Sequence, residues 1–305
     1  PCQQPRSVSR IEFEQRIAAQ PSSKFKISHK LDGTRAFVVL TPTSAFLVNR
    51  SMRCFAFKTY HFTDAFMNSM VVCDAEVVET SDGQHELYLM DLVGEKGCTM
   101  EERMDRLRSL LALAQRRLPD VCIKLKSYFS IKDWVLHEAW RKCDAPFDGA
   151  IIHDLTALPT LGRAEGEFRF KFIETIDLLV TSDKQLHMWT HGSHIDVTSL
   201  LQLSLPQPKL RAGVWEMHVI GTTDQAQDQA QYQGEANNNN NTKVIVKPHL
   251  FRRDKVEPND VSVLLKLLDP RTRPMELLGL MQRLQGLVVS TCCSSKQTAP
   301  RPQRW

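Results

Sequence analysis

Two strand-like runs flank an Asp-Gly pair near the start of the chain, and this pair is a signal for a tight turn. Phe25 and Ile27 alternate with polar residues before the pair, and residues 36–40 are apolar after it. Because Asp-Gly favours a tight turn, we expect Lys30 at the end of a strand, next to that turn. A lysine there can act as a covalent nucleophile once it is a free amine, a form favoured by nearby cations, a metal or desolvation. The other interpretation is an ordinary hairpin turn with a surface lysine and a surface arginine.

Length and composition indicate a soluble globular protein of two domains. The chain has 305 residues, of which 42% are hydrophobic and 24% charged, with a formal net charge of +4. This charge is compatible with a polyanionic partner. No run of eighteen apolar residues occurs, so no membrane partner is expected. The first residues do not resemble a signal peptide and include no initiator methionine, so we expect a piece of a longer chain.

The cysteines favour reduced thiols rather than a disulfide framework or a zinc site. No Cys-x-x-Cys occurs, and several of the cysteines lie in apolar runs. This usage is typical of a cytosolic or nuclear protein. The eight are Cys2, Cys54, Cys73, Cys98, Cys122, Cys143, Cys292 and Cys293.

Strands mixed irregularly with helices predict an α+β domain over residues 1–175, with a largely antiparallel sheet. Helical periodicity is present at 8–19, 101–118 and 131–142. Strand patterns are present at 25–30, 35–41, 45–49, 71–78, 86–92, 121–126, 147–152 and 168–172.

A second domain is predicted over residues 176–288, because short strand-like runs recur there at the spacing of a small β-barrel. These runs are 177–182, 186–190, 194–197, 213–220 and 243–248, followed by helices at 261–268 and 275–287. Residues 222–242 are rich in Gln and Asn and are expected to form a disordered insertion. Residues 289–305 are expected to be a flexible tail.

Several charged motifs follow Lys30 in a fixed order. In Cys73-Asp74-Ala75-Glu76-Val77, the carboxylate of Glu76 lies between apolar residues and requires a partner if it is buried. In Phe168-Arg169-Phe170-Lys171, alternation places Arg169 and Lys171 on one side of a strand, where two cations can grip a phosphate. The other motifs are Phe46–Arg50, Tyr88–Asp91, Glu101–Met104, Asp148–Ile151 and Arg252–Asn259.

Taken together, the ordered motifs resemble the covalent nucleotidyltransferase superfamily of mRNA capping enzymes and DNA/RNA ligases. The resemblance covers residues 24–268 and is closest to the capping guanylyltransferases, because Asp148 precedes Gly149 and an Arg-x-Asp-Lys segment begins at Arg252. It implies a nucleotidyltransferase domain of antiparallel sheets and helices, followed by a C-terminal OB-fold β-barrel domain that serves as a lid. Asn49, Ala75 and Arg169 depart from the family pattern.

The resemblance also implies roles for particular residues. Lys30 would be the nucleophile, and Asp148 would contact a metal or a phosphate-bound water. The other catalytic residues would be Arg169, Lys171, Arg252, Asp254 and Lys255. The GTP-binding residues would be Arg35, Arg50, Phe62, Glu76, Lys126, Ile151 and Lys171, with Phe62 and Ile151 covering the base, Arg50 at the ribose and Lys126 at the guanine edge.

The implied activity is mRNA guanylyltransfer in the nucleus, from GTP through a lysyl–GMP intermediate to the 5′-diphosphate end of RNA, with Mg²⁺ or Mn²⁺. Expected partners are an RNA triphosphatase, a cap methyltransferase and the RNA polymerase II machinery. Two alternatives stay open. One is an ATP-dependent polynucleotide ligase, and the other is a non-catalytic nucleotide-binding relative.

Overall fold

The computed structural model describes residues 4–57, 70–95, 97–159, 163–204, 210–223 and 242–295. The chain forms two units, a first within residues 1–7, 15–171 and 277–305 and a second within residues 8–14 and 172–276. The observed change from the first unit to the second, at residues 171 and 172, lies close to the predicted domain boundary at 175 and 176.

The first unit contains two mixed sheets rich in antiparallel pairs, which confirms the predicted α+β class. One sheet has the order β1-β11-β10-β2-β9 and the other β5-β4-β3-β6-β7-β8. The strands are β1 (Gln4–Ser7), β2 (Phe25–Leu31), β3 (Thr34–Leu40), β4 (Ala45–Asn49), β5 (Cys54–Ala56), β6 (Val71–Glu79), β7 (His85–Val93), β8 (Cys122–Leu125), β9 (Phe129–Ser130), β10 (Phe147–Asp154) and β11 (Arg163–Lys171).

The ordinary-hairpin interpretation of Asp32-Gly33 is wrong, because β2 and β3 belong to different sheets. Strand β2 pairs with β10 and β9, whereas β3 pairs with β4 and β6. Glycine is required at the crossing because a Cβ added to Gly33 would lie 2.4 Å from the carbonyl oxygen of Val77. The Asp-Gly pair therefore carries the chain from one sheet to the other and leaves Lys30 near the end of β2.

The helix Met100–Arg117 covers the second sheet. It begins with a capping box in which Thr99 and Glu102 exchange hydrogen bonds, an arrangement that satisfies otherwise unpaired backbone donors. Its buried face includes Leu107 and Ala114, and these pack, with Leu118 just after the helix, in one apolar core with residues of β3, β7 and β8. The predicted helix 101–118 is thus confirmed, with a shift of one residue at each end.

Three other predicted helices differ from the observed ones. The segment 8–19 forms the helix Arg10–Phe13 followed by a π-helical turn, Glu14–Ala18. The helix predicted at 131–142 is Ile131–Leu136, because Glu138 takes a left-handed conformation before a 3₁₀ turn. The last helix, Leu277–Ser295, extends into the segment predicted as a flexible tail.

That last helix packs in the first unit, whereas the sequence assigned it to the second domain. The reason is apolar burial, since Leu280 and Leu284 are fully buried. In addition, the indole Nε1 of Trp134 donates to the sulfur of Met281 over 3.3 Å. Strand β1 was not predicted either, and it pairs in parallel with β11.

The second unit is a six-stranded sheet with the order β14-β13-β12-β16-β17-β15. Its strands are β12 (Thr175–Val180), β13 (Leu186–Thr190), β14 (Ser193–Asp196), β15 (Leu201–Leu203), β16 (Gly213–Thr222) and β17 (Val244–Phe251). The helix Val261–Leu268 buries Leu264 and Leu267 in the core of this unit. All five predicted strands are present, while the OB-fold assignment stays a prediction.

Some expectations concern residues at the edge of the described part. Residues 224–241 of the predicted insertion lie outside it, and Thr222 itself is buried at the end of β16. Among the described helices, none has the length and apolarity needed to cross a bilayer. Five cysteines have described side chains, Cys54, Cys73, Cys98, Cys122 and Cys143, and all five are free thiols.

Candidate active site

A polar cleft in the first unit is lined by residues from both of its sheets. Strands β2, β10 and β11 contribute Lys30, Ile151, His153, Glu167 and Arg169 on one side. Strands β3, β6 and β7 contribute Arg35, Asp74, Glu76, Met90 and Asp91 on the other, together with Pro5, Leu31, Arg50, Lys126 and Tyr128.

Strand register arranges the β2–β10–β11 side of the cleft in rows. Lys30 lies opposite Gly149, which in turn lies opposite Lys171. One row deeper, Ile151 pairs with Arg169, and below it His153 pairs with Glu167. Because side chains on one face recur at every second residue, β11 presents Glu167, Arg169 and Lys171 to the same side. The predicted pairing of Arg169 with Lys171 on one face is therefore confirmed.

The first row gathers Lys30, Asp148 and Lys171. The Nζ of Lys30 lies 2.5 Å from Oδ1 of Asp148, and the Nζ of Lys171 lies 3.9 Å from Oδ2 of the same carboxylate. Between 18% and 33% of each side chain is exposed, so a ligand can reach all three. Gly149 allows this geometry, because an added Cβ would lie 2.1 Å from the carbonyl oxygen of Phe170.

Arg169 is fixed by the N-terminal strand. Its Nε donates to the hydroxyl of Ser7 over 2.9 Å, and the two residues are register partners in the β1–β11 pair. The guanidinium still lines the cleft. Residues 4–7 thus position a cation that the sequence had assigned to phosphate binding.

On the opposite sheet, carboxylates alternate with cations. Arg35 donates from Nε to Oδ1 of Asp74 over 2.8 Å, and its Nη2 contacts Oδ2 of the same residue. Glu76 is the register partner of Arg35. Burial raises the pKa of Glu76, although Lys126, Arg35, Lys30 and Arg50 act in the opposite direction. Glu76 is half-buried, and the four cations only partly offset the cost of removing its charge from water.

Lys126 lies at the inner end of the cleft. Only 4% of the residue is exposed, and its ammonium forms no ion pair within 4 Å among the residues that the structure describes. Burial lowers the pKa of Lys126 to about 8, against the attraction of Glu167 and Glu76. A buried, unpaired cation facing a cleft is costly without a ligand. Lys126 is therefore a candidate ligand-binding residue.

A buried row of side chains lies beside it. The hydroxyl of Ser28 is 2.8 Å from Nε2 of His153, and Nδ1 of His153 is 3.4 Å from Oε1 of Glu167. Ser28 and His153 are almost fully buried, whereas Glu167 is 16% exposed and lines the cleft. Among the described residues, Nδ1 of His153 has no hydrogen-bond partner, so its approach to Glu167 is an ion-pair distance only and Ser28 supplies the one side-chain hydrogen bond to the ring.

A second ion pair involves Asp91, which lines the cleft. Arg103 is 2% exposed and donates from Nε and Nη2 to the two carboxylate oxygens of Asp91, over 2.8 and 3.0 Å. Its Nη1 also donates to the carbonyl oxygen of Cys98 over 2.8 Å. This forked pairing holds the helix Met100–Arg117 against β7.

The remaining predicted residues lie elsewhere. Arg252, Asp254 and Lys255 belong to the second unit, where Arg252 pairs with Asp254 over 2.7 Å and with Glu216 over 2.9 Å. Lys255 contacts Asp177, a nearly buried carboxylate that also lies 3.4 Å from Arg252. Phe62, the predicted base-stacking aromatic, lies outside the described residues.

The donor set is compatible with a divalent cation only together with a substrate. In the described part of the chain, no group of three or more His, Cys, Asp or Glu side chains could hold a metal. Mg²⁺, however, is commonly bound by one or two carboxylates plus substrate phosphates and water. Asp148, the carboxylate beside Lys30, fits that manner of binding.

Sequence reasoning did not single out Asp74, Asp91, Arg103, His153 or Glu167. The signal for two of them was present, because alternation extends from Lys171 and Arg169 to Glu167 and from Ile151 to His153. For the ion pairs of Asp74 and Asp91 no comparable signal existed. Their partners follow from strand register and from the packing of a helix.

No family model matches the chain, and no curated protein matches it. Solved structures of DNA ligases do resemble it. The mycobacterial DNA ligase D complexed with ATP and MES is 12% identical, with a TM-score of 0.45, and the match covers 84% of this chain and 95% of that chain. The ligase domain of M. tuberculosis LigD is 13% identical, with a TM-score of 0.38, and that match covers 84% of this chain and 95% of that chain. The ATP-dependent DNA ligase of bacteriophage T7 in complex with ATP is 11% identical, with a TM-score of 0.42, and that match covers 63% of this chain and 80% of that chain.

Proposed function

We propose that this chain is a covalent nucleotidyltransferase, and specifically an mRNA guanylyltransferase that transfers GMP from GTP to the 5′-diphosphate end of RNA. The observation that carries the proposal is the position of Lys30. Its amine lies at the open row of a cleft, 2.5 Å from a carboxylate and beside Lys171. The residues that line this cleft match the motif order that resembles the capping enzymes.

In the first step, the amine of Lys30 attacks the α-phosphorus of GTP. A nitrogen–phosphorus bond forms, and the bond from the α-phosphorus to the bridging oxygen breaks, so pyrophosphate leaves with the electron pair. Lys30 must first lose a proton. Asp148 is the group in position to take it, because its Oδ1 already contacts Nζ.

Charge neutralisation is the main contribution of the surrounding residues. Phosphoryl transfer depends chiefly on positioning and on stabilising charge on the phosphate oxygens. Lys171 and Arg169 extend along β11 from the nucleophile, where an α-phosphate would lie. Arg252, Asp254 and Lys255 keep the pyrophosphate-orienting role that the resemblance gives them. A bound Mg²⁺ or Mn²⁺ would supply further Lewis-acid neutralisation near Asp148.

In the second step, a terminal phosphate oxygen of 5′-diphosphate RNA attacks the phosphorus of lysyl–GMP. The nitrogen–phosphorus bond breaks and the amine of Lys30 is regenerated with a proton. The product carries a 5′–5′ triphosphate bridge. The RNA triphosphatase, cap methyltransferase, polymerase machinery and nuclear location belong to this proposal as its biological setting.

ATP-dependent polynucleotide ligation is the second candidate, because a lysine placed as Lys30 is could also accept AMP. It uses the same lysine and the same first step, with AMP in place of GMP. Asp148 and the Arg252–Lys255 segment favour the capping assignment within the superfamily. The two candidates predict different nucleotides on Lys30.

The experiment is covalent labelling with each of the four α-³²P-labelled ribonucleoside triphosphates and Mg²⁺ or Mn²⁺. We expect an acid-labile, alkali-stable protein adduct with GTP and none with Lys30→Ala. Lys26→Ala is the matched control on the same strand, and its labelling should be unchanged. Labelling by ATP alone would establish the ligase alternative. Absence of any adduct, or an undiminished adduct on Lys30→Ala, would refute covalent catalysis at this residue.

A further inference from the structure

Two charged side chains that line the cleft, Glu167 and Lys126, have polar atoms available to a ligand. Glu167 lies 3.4 Å from His153 through Oε1, and its Oε2 forms no hydrogen bond or ion pair among the described residues. Lys126 forms no ion pair within 4 Å among the described residues, and only 4% of the residue is exposed. Both side chains line the cleft.

Glu167 is held as a carboxylate rather than as a neutral acid. Burial opposes its ionisation, but the contact with His153 and the nearby Lys126 and Arg35 outweigh burial and lower the pKa of Glu167. Ser28 orients the imidazole through Nε2, at 2.8 Å. The carboxylate is therefore a fixed hydrogen-bond acceptor without a donor function.

Strand geometry places this pair at the base end of a bound nucleotide. Glu167 lies four residues from Lys171 on the same face of β11, which is about 13 Å along the strand. Lys171 and Lys30 mark the phosphate end. A nucleotide with its α-phosphate at Lys30 and its base against Ile151 would bring the far edge of the base to Glu167 and Lys126.

We propose that Glu167 is a specificity-determining residue that selects guanine, by accepting hydrogen bonds from N1–H and the 2-amino group while Lys126 donates to O6. The proposal rests on the proposed guanine nucleotide substrate and adds to it a residue that the capping resemblance did not supply. Adenine presents an unprotonated N1 to the same carboxylate. Two acceptors would then face each other in a buried site, and such mismatches are rejected strongly.

The test measures equilibrium binding of nucleoside monophosphates by isothermal titration calorimetry, using the full chain without pyrophosphate or metal. GMP, IMP, 1-methyl-GMP and AMP form a series, because IMP lacks the 2-amino donor and 1-methyl-GMP lacks the N1 donor. We expect IMP and 1-methyl-GMP to bind roughly tenfold more weakly than GMP, and AMP roughly a hundredfold more weakly. This series needs no variant, so it does not depend on the folding of a mutant.

The variant arm uses Glu167→Gln, whose amide can donate to N1 of adenine. Its ratio of GMP to AMP affinity should fall by at least about tenfold. The matched control is Glu165→Gln, the same change at an exposed position on β11, which should retain the wild-type ratio. Equal affinity of wild type for GMP and AMP, an unchanged ratio in Glu167→Gln, or no measurable binding would each overturn the proposal.

This experiment is separable from the labelling assay. Monophosphates have no pyrophosphate to release, so binding is read without covalent chemistry. A protein that selects GMP through Glu167 but forms no adduct would contradict the proposed function alone. A protein that forms the GMP adduct but does not lose base preference in Glu167→Gln would contradict the role of Glu167 alone.

Discussion

Replacing Lys126 by methionine should raise the free energy of unfolding near neutral pH. The same change should make the free energy of unfolding less dependent on pH in the alkaline range. Burial lowers the pKa of Lys126 from 10.5 to about 8. Each pKa unit corresponds to 1.36 kcal/mol, so the protonated lysine destabilises the folded state by on the order of 3 kcal/mol. Methionine has a similar length and no charge, and we expect the variant to recover much of that free energy.

The sign of the pH dependence follows from which state binds the proton. Below about pH 8, Lys126 is protonated in both the folded and the unfolded chain, and the full cost is present. Between about pH 8 and pH 10.5, only the unfolded chain binds the proton, so the free energy of unfolding of the wild type rises with pH. The variant lacks this rise.

The assay is urea unfolding of both proteins at about pH 7 and about pH 10. The stability difference should be largest at the lower pH and should shrink at the higher one, while groups common to both proteins cancel. Lys124→Met is the matched control, because Lys124 lies two residues away, 39% exposed, in a surface ion pair with Glu86. Its effect should stay below about 1 kcal/mol. An equal stability difference at both pH values would refute the account of Lys126 as a cation whose burial outweighs the attraction of Glu167 and Glu76.

Three further predictions concern the site and its support. Asp148→Asn should slow formation of the nucleotide adduct by roughly a hundredfold or more without abolishing GMP binding, as measured by single-turnover labelling. Arg103→Met should destabilise the protein by about 3–5 kcal/mol in urea unfolding, because it leaves Asp91 as a buried carboxylate without its cation, and the double variant with Asp91→Leu should recover most of the loss. Gly149→Ala should give a strongly destabilised protein by thermal unfolding, since its Cβ would lie 2.1 Å from the carbonyl oxygen of Phe170; wild-type stability in that variant would contradict the close approach of β10 to β11.

Most strands could be predicted from local pattern, because alternation with a period of two is a local property of strand residues. The same property correctly placed Arg169 and Lys171 on one face. It did not reveal β1, a short strand whose existence depends on pairing with β11 from the far end of the unit. It also could not show that the last helix packs in the first unit, since its apolar face fits any apolar partner.

The Asp-Gly pair shows where local reasoning fails. Its turn propensity predicted a tight turn but could not show that the two strands belong to different sheets. The structure uses the glycine for a close approach to Val77 as the chain passes between the sheets. Lys30 lies near the end of β2 in either arrangement, so its position did not depend on which sheets the turn joins.

Local pattern was sufficient to predict most strands, the α+β class and the cations on one face of β11. Which charges are paired and which stay available became clear only from the folded chain. Asp74 and Asp91 are paired with arginines, whereas, within the described part of the chain, Lys126 and Glu167 keep groups available for a ligand at the inner end of the cleft. The physical reason is that a charge is a property of a residue, but its compensation depends on neighbours that strand register and packing bring together from distant parts of the chain.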